Sequence, residues 1–89
     1  MPVYAVNYDL QRPDAYDGFY DILESVPHVS VMDGFWLLET EGDAGALRDR
    51  LKGQVHQEDA VFVMRVDEDW AGAGTRCGAW LNAEERRAR

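Results

Sequence analysis

The chain has 89 residues, 46% of them hydrophobic, and sets 17 acidic against 9 basic side chains for a net charge of -8. That length allows one small domain with a thin core, too short for a dinucleotide-binding fold, and the apolar content excludes disorder. The acidity opposes a broad phosphate-binding surface, because nonspecific nucleic-acid affinity comes from cationic contacts that release counterions.

Residues 3–8 are a β-branched and aromatic run, which predicts a strand, and residues 9–13 a loop. Asp14 then fits the N-cap of a helix whose apolar face is Tyr16, Phe19, Tyr20 and Leu23, at spacings of three and four. Asp17 suits the positive end of that helix, and Pro27 stops it. Asp14, Asp17, Asp21 and Glu24 share one outer stripe. Val29 and Val31 alternate with polar residues as a half-buried strand. Asp33-Gly34 is a two-residue hairpin signal, and residues 35–40 return as a strand apolar on both faces. Asp43 is placed to cap a second helix with Ala44, Leu47 and Leu51 inside; Arg48, Arg50 and Lys52 occupy its last turns and Gly53 ends it. Residues 59–66 read as the fourth strand, again apolar on both faces.

The order β-α-β-β-α-β predicts an α+β, ferredoxin-like sandwich: a four-stranded antiparallel sheet with two helices on one face. Residues 1–69 form that domain. Residues 70–89, with Gly72, Gly74, Gly78, Trp70 and Trp80, form a C-terminal arm or short fifth strand ending in a frayed helix. An antiparallel sheet with one wet face should alternate cleanly, and this one does not. Large groups on the far face, drawn from Tyr4, Val6, Tyr8, Trp36 and Phe62, need a cover. The expected cover is the arm, packed in its own subunit or a partner's, with Tyr8, Trp36, Trp70 and Trp80 at the contact of a homodimer.

Chemistry is sparse. Lone Cys77 allows neither an intrachain disulfide nor a Cys-based zinc site. His28 and His56 lack metal-ligand spacing, no Ser or Thr sits in a triad pattern, and the arm glycines do not cradle phosphate. Asp9, at the end of the first strand, is the candidate catalytic carboxylate. One carboxylate rarely holds Mg²⁺, but a two-fold axis would bring two copies together. The opening residues lack a signal-peptide pattern, and the longest apolar run, 60–64, is far below the roughly 20 residues that span a bilayer. A soluble, cytoplasmic protein with no membrane contact is expected. Arginine supplies 8 of the 9 basic residues, a usage associated with GC-rich bacterial or phage genomes.

Tyr8-Asp9-Leu10 with Pro13, Trp36, residues 47–51 (Leu-Arg-Asp-Arg-Leu), Asp59, Trp70-Ala71-Gly72 and Trp80-Leu81 together resemble the small bacterial and phage proteins of the SinR family. Those are relatives of the CRISPR-associated Cas-two family and, more distantly, of VapD-type ribonucleases. The resemblance implies a ferredoxin-like homodimer whose C-terminal segment crosses onto the partner. It also implies that Asp9 lies at the dimer interface, where its counterpart is proposed to bind Mg²⁺ for phosphodiester cleavage. The same CRISPR-associated relatives also act as noncatalytic DNA scaffolds with basic surfaces, whereas residues 1–33 here hold six acids against Arg12 alone.

Three functions follow as expectations. The first is a noncatalytic, dimeric scaffold or interaction protein, its acidic face open to a basic protein partner. The second is an Mg²⁺- or Mn²⁺-dependent endonuclease acting on RNA or DNA through paired Asp9. The third is a nucleic-acid-binding module using Arg48, Arg50, Lys52, Arg76 and the tail residues Arg86, Arg87 and Arg89.

Overall fold

A computed structural model describes residues 1–75 and 77–82. Seven elements follow one another: β1 (Val3–Asp9), α1 (Asp17–Glu24), β2 (His28–Met32), β3 (Phe35–Glu39), α2 (Ala44–Lys52), β4 (Ala60–Val66) and α3 (Gly78–Leu81). The four strands form one antiparallel sheet in the order β2-β3-β1-β4. The α+β class, the six-element order and the antiparallel sheet match expectation. Among the described residues no helix is long and apolar enough to cross a membrane.

Strand alternation divides the apolar residues into two layers. Along β1 and β3, Tyr4, Val6, Tyr8, Trp36 and Leu38 point to the helices, where Phe19 and Leu23 of α1 and Leu47 and Leu51 of α2 meet them. Val61 and Val63 of β4 complete that layer. Phe19, Leu23, Leu38, Leu51 and Val6 are its fully buried side chains. Withdrawing one such large side chain from water is worth roughly 1.5–3 kcal/mol. On the opposite face Val3, Ala5, Val31 and Leu37 meet Cys77 and Leu81, with Trp70 and Trp80 packed against them. The arm therefore lies on its own sheet, with a single turn of helix, α3, as its ordered element. No fifth strand occurs among the described residues, and residues 83–89, on which the end of the arm falls, lie outside them.

The far-face membership is a correction. Tyr4, Val6, Tyr8 and Trp36 belong to the helix-covered layer, and of the expected set only Phe62 points away from it. Tyr4 and Tyr8 lie at even positions of β1, on the side of α1, where Tyr8 meets Phe19 and Tyr20 edge-on. Among the described residues Tyr8 and Trp36 pack in the helix-side layer, and Trp70 and Trp80 pack on the far face.

Local chemistry explains the boundaries. The β2–β3 turn needs Gly34, which sits at φ +76° with its carbonyl accepting from Tyr8 N at 2.9 Å. A Cβ there would stand 2.7 Å from Tyr8 O. Asp43 caps α2 as expected, its Oδ1 accepting from Ala46 N at 2.8 Å. Asp14 does not cap α1. The helix starts at Asp17 behind Tyr16, which offers no side-chain cap, and Ala15 takes a left-handed φ of 74°. The chain turns sharply there because the Tyr16 side chain is drawn inward, onto a buried acid described below. Strand β2 also departs from simple alternation: a bulge between Ser30 and Met32 sets Met32 opposite Phe35.

Candidate functional site

The end of β1 and the loop that follows it form one wall of an open cleft of about 630 Å³, lined by Tyr8, Asp9, Arg12, Asp14, Tyr20 and Asp33 among others. Asp9 is the last residue of β1, paired with Ala60, and its side chain is exposed at this rim. Tyr8 makes the apolar floor, meeting Phe19 edge-on at 4.9 Å and Tyr20 at 6.1 Å between ring centroids. Burial, and after it the neighbouring Tyr20 hydroxyl, push the Tyr8 phenol well above its ordinary value. Tyr8 is therefore a neutral phenol at any physiological pH.

The cleft is shaped by an acid that sequence reading treats only as the first residue of a strand. Asp59 lies just before β4 and is only 4% exposed. Its Oδ1 accepts from Gln11 N at 2.8 Å, and its Oδ2 accepts from the Tyr16 hydroxyl at 2.9 Å and from His56 N at 2.8 Å. Burial alone would raise this carboxyl. The Gln11 and His56 amides and the Tyr16 hydroxyl outweigh it and hold Asp59 below the usual carboxylate range. Tyr16 in turn accepts from Arg12 N at 3.1 Å. Its own phenol is raised by burial, against the Arg12 amide and with Asp59 adding to the rise. Asp59 thus ties the β1–α1 loop to the α2–β4 loop.

Charged groups on the outside reinforce the tie. Arg12 Nε meets Glu58 Oε2 at 3.1 Å, and Glu58 is lowered by its own backbone amide and then by Arg12. Lys52 Nζ donates to Asp59 O at 2.6 Å and to His56 O at 3.4 Å. The His56 ring stands edge-on to Tyr16 at 5.6 Å, and its Nε2 is buried without a hydrogen-bond partner.

These placements decide what the candidate residues can do. Among the described residues no three His, Cys, Asp or Glu side chains are grouped so as to hold a metal ion. Asp9 in one chain therefore does not by itself fit Mg²⁺ or Mn²⁺. The basic set of α2 is partly committed: Lys52 is engaged with loop carbonyls, Arg48 chelates Asp49 Oδ1 through Nε and Nη2 at 3.1 and 2.9 Å, and Arg50 is exposed. Arg76 and the arginines at 86, 87 and 89 lie outside the described residues. Trp36 stacks on His28, with ring centroids 5.4 Å apart and 29° between planes.

Away from the cleft, the described part of the arm leaves some of the far face exposed. Phe62 is 62% exposed, Met64 51% and Met32 49%. Met32 and Met64 flank a groove of about 580 Å³ that also includes Phe35, Val66 and Trp70. Comparison with protein-family models, with curated proteins and with solved structures finds no match.

Proposed function

We propose that this chain is a ferredoxin-like, Cas-two-like homodimer of bacterial or phage origin that serves as a noncatalytic scaffold or interaction protein. The observation that carries this reading is the incompletely covered far face, where Phe62, Met64 and Met32 stand at the surface beside the arm. Large apolar side chains left exposed on one face of a small acidic protein support a contact surface there. The acidic stripe of α1, with Asp17, Asp21 and Glu24 exposed, gives the same molecule a second face suited to a basic protein partner.

A second reading, the metal-dependent nuclease, is favoured by one observation: Asp9 is exposed on an open cleft that Asp14 and Asp33 also line. It needs a second copy to supply the missing ligands.

One experiment separates the two. Labelled RNA and DNA are incubated with wild type and with Asp9→Ala, with and without Mg²⁺ or Mn²⁺, while sedimentation velocity gives the mass of the same samples. A dimer without metal-dependent cleavage supports the scaffold. Cleavage that requires metal and disappears in Asp9→Ala replaces it with the nuclease. A monomer with no cleavage removes both.

A further inference from the structure

The two edges of the sheet are built differently. β2 is five residues long and broken by a bulge, a feature that discourages strand addition. β4 runs seven residues without a bulge against β1, and its other side pairs with no strand among the described residues. Its sequence, Ala-Val-Phe-Val-Met-Arg-Val, contains no Pro, Gly or Lys and one charge, Arg65. Nothing in it blunts the edge, and such an edge is a template for another strand.

We infer that β4 is where a second copy of this chain docks, by antiparallel β4–β4′ pairing about a two-fold axis at Val63. This rests on the dimeric reading above and gives the dimer a contact different from the one the resemblance implies, where Asp9 lies at the interface. Residues 60–66 are symmetric about Val63, so this register pairs all seven. Facing residues of an antiparallel ladder project to the same side of the sheet. Phe62 then lies opposite Met64 of the copy, and Met64 opposite its Phe62. The two exposed large hydrophobic side chains of β4 cover one another twice, on the face opposite the helices. On the helix side Val63 meets its own copy, and Arg65 lies opposite Val61, so no like charges face each other within the ladder. The contact is isologous and closes at two. A single strand pair is small by the standard of stable interfaces, which places the dimer at dissociation constants on the order of micromolar.

The register also sets the distance between the two Asp9 residues. Asp9 pairs with Ala60, three residues from the axis, on the strand next to β4. Three strand spacings across the sheet and six residue rises along it separate the two carboxylates by roughly 25 Å. Ions bridged by two carboxylates need them within about 5 Å. A β4-paired dimer therefore cannot also bring two Asp9 residues onto one metal.

Backbone amide exchange of the wild-type chain, followed residue by residue from about 5 µM to about 500 µM, tests this alongside sedimentation of the same samples. Dimer formation with protection gained at the outward amides of β4 is the expected result. Met64→Lys should then raise the dissociation constant at least tenfold while leaving the melting temperature of the dilute chain unchanged. A dimer whose added protection falls on the arm or on α1, with β4 unaffected, overturns the β4 contact and leaves the dimeric reading standing. A chain that stays monomeric throughout overturns both.

Discussion

The two faces of the sheet hold similar numbers of apolar side chains and are sealed in different ways. On one side, two helices of eight and nine residues press Phe19, Leu23, Leu47 and Leu51 onto aromatic side chains of β1 and β3. Asp59 fixes the loops at the helix ends. On the other side a glycine-rich arm with one turn of helix lays Cys77, Leu81 and two tryptophans over a smaller layer, and Phe62 and Met64 remain outside it. The lesson is that burial and closure are separate properties. The helix side is closed by elements that carry their own hydrogen bonds, whereas the arm depends on the sheet beneath it for its order.

Substitutions on the closed side are expected to have the largest effect. Phe19→Ala, at a fully buried aromatic, is expected to cost about 3–5 kcal/mol by denaturant titration. Leu81→Ala, on the arm, should cost about 2 kcal/mol, near the floor for a buried leucine, because a single helical turn can settle into the space. If both cost the same, the arm is as integral as the helices and the contrast fails. Amide exchange should likewise find α3 opening more readily than α1 or α2.

Asp59→Asn should lower the melting temperature at pH 7 by several degrees, because an amide nitrogen would face N–H donors that the carboxylate satisfies. Asp59 is lowered in the fold, so its contribution is present above the unfolded value near 4 and is lost as pH falls through its folded value. Thermal melts of the two proteins between pH 7 and pH 2 should therefore converge in acid. Tyr8 and Tyr16 are raised, so their contribution is complete below the unfolded value near 10 and is lost above it. Both lie on the helix side. In alkali that side should open first, seen as phenolate absorbance rising together with exchange in α1. The smallest effect is expected from Arg12→Gln, less than about 1 kcal/mol, since its pair with Glu58 is half exposed.

Periodicity and turn chemistry made most of the architecture legible. Residues 3–8 and 35–40, the Asp33-Gly34 turn and the Asp43 cap all placed elements that the structure contains. What failed did so where side chains act over distance. Asp14 has the right chemistry for a cap, but Tyr16 is bound to an acid 43 residues away, and that contact sets where α1 begins. Assigning faces from strands apolar on both sides also failed for Tyr4, Val6, Tyr8 and Trp36, since period two gives the alternation and says nothing of which side the helices take. Asp59 could be glimpsed only as a charged residue abutting an apolar strand, with no local pattern marking it as buried. Asp9 is visible in the sequence as a lone strand-end acid, whereas the cleft it shares with Asp14 and Asp33 is visible only in three dimensions.

The reach of the Asp59 bonds bears on the order in which the molecule is built. Closing onto Gln11 spans 48 residues and onto Tyr16 spans 43, similar to the separation of Asp9 from its β4 partner Ala60, so these bonds share the loop closure that joins β1 to β4. A contact absent from the folding transition state holds back escape from the native state and does little for arrival. The kinetics of Asp59→Asn read when that closure is fastened: faster unfolding at an unchanged folding rate sets the Asp59 bonds after the transition state, and slower folding sets them before it.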